Sequence, residues 1–215
     1  MPNHITNRVS APSVVLRSLI NEQGAIDFNT LLPFKGAFPW DYISANAETA
    51  AEAISGTPLH DHPLIRPLQE SNRARANVME MTDDQFEQFV QMLRNKRACG
   101  HMHDMDWGRF AWGTKWNAYS QQIDLEQGLL KFDTAWSCPE LVFVALSKLH
   151  PEAVIEVKFA DEDIGSNCGT ITFSGGNVTE KDCAGQWDAM SSADQEKWKA
   201  FAYAVKGWEP EQAED

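Results

Sequence analysis

Residues 130–173 constrain the fold more than any other part of the chain. Leu130, Phe132, Thr134 and Trp136 alternate with Lys131, Asp133 and Ala135, the two-residue period of a strand with one buried side. Ser137 and Glu140 then frame Pro139 as a capping box. The helix that follows is strongly apolar to Leu149 and ends at His150-Pro151, because the residue before a proline avoids helical geometry. Ile155, Val157 and Phe159 alternate against Glu156 and Lys158, giving another strand. An acidic loop over 161–167 leads to a short strand with Ile171 and Phe173 inward, and Gly175-Gly176-Asn177 signals a turn.

The amino-terminal end repeats this grammar. Ile5, Asn7 and Val9 share one side of a short strand. Ser10 and Pro12 open a helix with Val15, Leu16, Leu19 and Ile20 on one stripe, and Gly24 closes it. Residues 26–32 form a second apolar segment, read as a strand, that stops at Pro33. Two strand–helix–strand units side by side make the split βαβ arrangement called ferredoxin-like. The expected fold is α+β: an antiparallel sheet of that topology with helices on one face.

Residues 36–111 break the rhythm and read as a helical insertion within one α+β domain spanning 1–215. Residues 41–54 are Ala-rich and helical, and residues 59–67, with two Pro and two His, read as irregular. Thr82 and Gln85 make a capping box for the best helix in the chain. Phe86, Phe89, Val90 and Leu93 line one face of it, and Gly100 closes it. Near the far end, Ser192 and Gln195 cap a last helix that buries Trp198, Phe201, Ala202 and Val205. The tail over 209–215 reads as disordered.

The most aromatic polar stretch is WGTKWNAY, residues 112–119. If extended, it puts Trp112, Thr114, Trp116 and Ala118 on one face, and Gly113, Lys115, Asn117 and Tyr119 on the other. One reading is a pocket or partner patch, with aromatic walls and polar contacts from Lys115 and Asn117. The plainer reading makes the tryptophans core anchors. His101, His103, Asp104 and Asp106 offer mixed N/O ligands to a divalent metal, but only through a turn, and such loops are commonly solvated. Cys168, between Asn167 and Gly169, lacks the Gly-x-Ser-x-Gly order of a nucleophile elbow and has no assignable base. Asp161, Glu162 and Asp163 read as a charged hairpin tip.

Six blocks occur in order: PNHITNRVS, FNTLLP, WGTKWNAY, FDTAW, LSKLHPE and GTITFSGG. Together they resemble proteins with the YubB-type ferredoxin-like domain, found on bacterial plasmids and phages. The resemblance spans most of the chain and is weakest over 36–80 and after 180. It departs from the usual FDTxWSPP block by carrying FDTAWSCPE. "Ferredoxin-like" there names topology alone, and the four cysteines, with no CxxC pair, agree that no cluster is held. The resemblance implies an accessory role on a mobile element and carries over no settled enzymatic or binding function.

Charge narrows the partners. The net charge is −13, and residues 109–215 hold eighteen Asp/Glu against nine Lys/Arg. Such a surface repels phosphate backbones, so direct nucleic-acid binding is not expected. The start has no apolar signal-peptide core, and no apolar run is long enough to span a bilayer. A cytoplasmic bacterial protein without cofactor is expected. The leading function is non-enzymatic binding of a host or defence protein, with Trp112, Thr114, Lys115, Trp116, Asn117 and Tyr119 as candidate contacts. One alternative is a small-molecule binder or enzyme with a pocket walled by Trp112 and Trp116. Another is an acidic DNA mimic.

Overall fold

The computed structural model describes residues 3–209. Seven helices and six strands follow in the order β1 (His4–Ser10), α1 (Ser13–Arg17), α2 (Ala45–Ile54), α3 (Arg66–Arg75), α4 (Asp83–Cys99), α5 (Asp104–Ala111), β2 (Tyr119–Asp124), β3 (Leu129–Ala135), α6 (Glu140–Leu149), β4 (Ile155–Ala160), β5 (Cys168–Ser174), β6 (Asn177–Cys183) and α7 (Ser192–Lys206). The chain divides into two units, Phe34–Trp107 and the remainder, Met1–Pro33 with Gly108–Asp215.

The second of these units holds a six-stranded sheet in the order β2-β3-β1-β4-β5-β6, every neighbouring pair antiparallel. The first four positions are the ferredoxin-like order. The link from β1 to β2 steps over β3, and the link from β3 to β4 steps over β1. The hairpin β5-β6 extends the sheet beyond β4. The fold is α+β, as the alternation of residues 130–173 requires.

One sheet face is apolar. Val9 pairs with Leu130 and Val157, Asn7 with Phe132 and Phe159, and Val157 with Ile171. Phe143 of α6 lies over this face, its ring 6.5 Å from that of Phe132 and 5.6 Å from that of Phe173. Ser18 Oγ and His150 Nε2, at the ends of α1 and α6, lie 2.9 Å apart, so the two helices share that side. Asn7 is fully buried among these rings. Its Nδ2 donates to Thr134 Oγ1 at 2.9 Å and Ile5 O at 3.1 Å, while its Oδ1 meets no partner among the described residues. The helix α7 departs from the one-face expectation. Its Trp198, Ala202 and Val205 pack with Ala160 and Cys168 on the opposite side, where those small residues let a helix approach.

Several segments differ from what their sequence predicts. Residues 26–32 are not a strand: Ile26 makes one isolated bridge to Ile20, and Phe28–Thr30 is a 3-10 turn capped by Asp27. The backbone of Ile26 is satisfied by a side chain, Gln121, through Nε2 to O at 2.8 Å and N to Oε1 at 2.6 Å. The second strand of the split unit is therefore β2. Ser10 is the last residue of β1, and Pro12 precedes the short α1 without a side-chain cap. Ser137 does not cap α6, because its hydroxyl donates to Gly113 O. The cap of α7 is Ser191, one residue earlier than expected, accepting from Asp194 N at 3.1 Å. Trp136 leaves the alternation: β3 ends at the buried Ala135, and Trp136 turns to positive φ. Of the tail read as disordered, residues 210–215 lie outside the described residues.

The unit Phe34–Trp107 has its own core, in which Ala47, Ala50 and Ala51 of α2 meet Phe89 and Met92 of α4 and Met102. The alanines permit close helix contact. The capping box at Thr82 forms as read, and Gly100 adopts the left-handed conformation that ends α4. The helix α3 forms within a stretch partly read as irregular and buries none of its residues.

Phe132 sits at the centre of the apolar face with no exposed surface. Phe132→Ala is expected to destabilise the protein by about 3–5 kcal/mol in chemical denaturation, the usual cost of emptying such a site.

Candidate functional site

The stretch WGTKWNAY is not extended. It is a turn and loop that leaves α5 and enters β2 at Tyr119. The two-face reading fails, and its residues divide by role instead. Trp112 is only 4% exposed; its Nε1 donates to Leu32 O at 3.0 Å and its ring meets Phe28 edge-on at 5.7 Å. Gly108 makes room for this ring, since a Cβ there would lie 2.8 Å from Trp112 Cε3. A pocket walled by Trp112 is therefore not what the fold builds. Thr114, also buried, acts as a substitute strand for Ala135, donating to its O at 2.8 Å and accepting from its N at 3.2 Å.

Asn117 braces the turn at Phe28. Its Oδ1 accepts from Phe28 N at 3.0 Å and its Nδ2 donates to Asp27 Oδ1 at 2.6 Å. Burial pushes the Asp27 carboxyl up, but hydrogen bonds from Asn117 and Asn29 outweigh it and hold the group below its ordinary range.

Lys115, Trp116 and Tyr119 are half-buried. Lys115 Nζ lies 5.1 Å from the Trp116 ring centre and 5.2 Å from that of Trp136, so two indoles flank one ammonium. Trp136 is 49% exposed and has φ 68. That conformation costs a bulky residue on the order of 1–2 kcal/mol. It is held from both ends: Trp136 N donates to Asn3 O at 2.9 Å, and Asn167 Nδ2 donates to Trp136 O at 3.2 Å. Both asparagines also grip Asp161, and Asn3 reaches Asp163 Oδ2 at 2.9 Å. The acidic loop is thus only partly the solvated tip expected: Asp161 is buried, while Glu162 and Asp163 are exposed.

Tyr119 joins this patch to the open sheet face. Its ring meets Trp116 at 6.2 Å, and its hydroxyl lies 2.7 Å from His4 Nδ1 and 3.2 Å from Thr134 O. Beyond His4 a polar depression of about 360 Å³ opens, lined by Thr6, Gln122, Lys131, Asp133, Glu162, Lys206 and Trp208 among others. Thr6 Oγ1 donates to Asp133 Oδ1 at 2.8 Å. Lys206 is 5% exposed, and its Nζ donates to His4 O at 3.2 Å and Thr6 Oγ1 at 3.4 Å. Burial lowers its pKa, while the charges of Asp133, Asp161 and Glu162 pull against that shift. The sequence reading did not single out this depression. Its signal was the polar side of β3, Lys131 and Asp133, lying opposite Arg8 and Thr6 of β1.

The metal candidates are used by the fold. His101 Nδ1 lies 3.3 Å from Asp106 Oδ2, and His103 Nε2 lies 3.1 Å from Glu48 Oε1. His103 Nδ1 accepts from Asp106 N, Asp106 Oδ2 from Met102 N, and Asp104 Oδ1 from Met105 N, all bonds that shape the entry to α5. No group of three metal-ligating side chains converges among the described residues. Cys168 is buried and its thiol is pushed up to about 12, first by burial, which opposes a nucleophilic role.

Comparison with known proteins covers part of this picture. A family model described as "Ferredoxin-like domain in Api92-like protein" matches residues 115–202. A crystal structure of a protein api92 from Yersinia pseudotuberculosis is similar at 13% identity, with a TM-score of 0.40, over 86% of this chain and 99% of that one. No curated protein matches. No helix among the described residues is long and apolar enough to cross a membrane.

Burial, with the charges of Asp133 and Glu162, raises the Tyr119 pKa to about 12. A raised folded-state pKa contributes stability that is complete below the ordinary tyrosine value of about 10 and is lost as pH climbs through the folded value. Stability is expected to fall between about pH 10 and pH 12. Tyr119→Phe should remove that component of the fall, read by denaturation midpoints across the range.

Proposed function

We propose that this protein is a non-enzymatic accessory factor of a plasmid or phage, of the YubB type, that binds a host or defence protein in the bacterial cytoplasm. The observation that carries the reading is the pair Trp116 and Trp136 around Lys115, with Asn3 linking the Trp136 backbone to the exposed Asp163. Tryptophan is enriched among the residues that dominate binding energy, and an indole kept half exposed in a costly backbone conformation favours contact over packing. Carboxylates beside indoles suit a partner segment carrying Arg or Lys, since the cation can pair with the acid and lie on the ring. The negative net charge would steer such a partner. The blocks FDTAW, LSKLHPE and GTITFSGG fall inside the matched region 115–202, which supports placing the chain near Api92-like proteins.

The DNA-mimic reading has less support. Several carboxylates of the sheet unit are interleaved with lysines in ion pairs: Glu156 with Lys158, Glu140 with Lys181, Asp182 with Lys197, and Glu196 with Lys199. A phosphate-like row needs unneutralised charge at regular spacing.

The test is affinity capture from bacterial host lysate, followed by binding measurements with each purified candidate partner. Trp136→Ala and Trp116→Ala are expected to weaken the true partner by about tenfold or more, as truncating an anchoring aromatic does. Circular dichroism would verify folding. A partner whose affinity ignores both substitutions would overturn the reading. A salt-sensitive DNA-binding enzyme bound equally by both variants would favour mimicry instead.

A further inference from the structure

The depression beside His4 is a different feature from the tryptophan patch, and its chemistry is dipolar. On β3, Lys131 and Asp133 are two residues apart and so point to the same side, about 6.6 Å apart along the strand. Lys131 Nζ spends one donor on Lys206 O at 3.1 Å. Lys206 Nζ spends two, on His4 O and Thr6 Oγ1. An ammonium has three, so each lysine, both lining the cavity, keeps at least one donor beyond these bonds. Asp133 is engaged at Oδ1 by Thr6, and Glu162 stands exposed at the rim. Trp208, 51% exposed, closes another wall, with Lys206 Nζ 4.4 Å from its ring. The cavity, about 360 Å³, falls in the range of small-ligand sites.

We propose that this cavity binds a free α-amino acid, its carboxylate on the Lys131 and Lys206 ammonium groups, its ammonium on Asp133 and Glu162, and its side chain against Trp208. A simple anion would leave the two carboxylates facing it, and a simple cation would face the two lysines. Only a molecule with both charges meets every group with its opposite. Its two charged ends are close enough to span neighbouring same-face positions on one strand, with a hydrogen bond of about 2.9 Å at each end. The buried ammonium of Lys206 is the anchor, since charge-assisted hydrogen bonds strengthen where water is excluded.

Isothermal titration calorimetry of the full chain against each standard amino acid tests this. At least one is expected to bind. Its deaminated and its decarboxylated analogues should each bind at least about tenfold more weakly, a loss of about 1.4 kcal/mol. Lys131→Gln and Asp133→Asn should weaken binding to the same degree with an unchanged far-ultraviolet spectrum. Should Asp133→Asn fail to fold, Glu162→Gln at the exposed rim takes its place. Silence across the amino acids overturns the proposal. So does equal binding of the deaminated analogue, which would mean a plain anion site, or binding that both substitutions leave untouched.

Discussion

The last turn of α7 ends on the open face of the sheet, and its unpaired carbonyls must find donors there. A helix leaves its final carbonyls without partners, and the axis concentrates negative partial charge at that end. Arg8 Nε answers with a bond of 2.5 Å to Val205 O, and Lys131 Nζ with one of 3.1 Å to Lys206 O. Lys206 returns the gesture by donating into β1. Gly207 lets the chain come this close: it is left-handed at φ 73, and a Cβ there would lie 3.3 Å from Arg8 Nη2. Without these bonds the cations of β1 and β3 would face the helix end unpaired, and α7 would keep only its small apolar seam.

That clamp explains where the two candidate features sit. Because α7 reaches across β4 and β5 and stops over β1, it does not extend over β2. His4, Thr6, Lys131 and Asp133 are left facing a cavity whose far wall is the end of α7. Tyr119 stands at its edge and passes contact on to Trp116. The same apolar face that holds Phe132 and Phe143 therefore fixes, through the pleat of each strand, which polar side chains appear on the other side. Core and site are two sides of the same six strands.

Much of this was legible in residue order. Strands with one buried side announced themselves by alternation in β1, β3, β4 and β5, and the capping box at Thr82 marked α4 to the residue. Three of the failures were places where a side chain stands in for backbone. Gln121 pairs with Ile26, Thr114 with Ala135 and Asn117 with Phe28, so segments that read as strands are loops pinned by amides and hydroxyls. No local pattern encodes partners that lie 21, 89 and 95 residues away along the chain. Trp136 continued the alternation on paper, yet Asn3 and Asn167 turn it outward. The polar depression was hidden for a related reason. Lys206 is a basic residue in the last turn of a helix, and only the fold places β1 beneath it.

The clamp makes the first strand and the last helix one cooperative layer. Native-state amide hydrogen exchange under increasing denaturant tests it directly. If the clamp holds, amides of Ile5, Asn7 and Val9 and those of Ala202 and Val205 should open with the same free energy and the same denaturant dependence, as one unit does. Exchange of α7 through its own opening, lower in energy and nearly independent of denaturant, while β1 stayed protected, would contradict it.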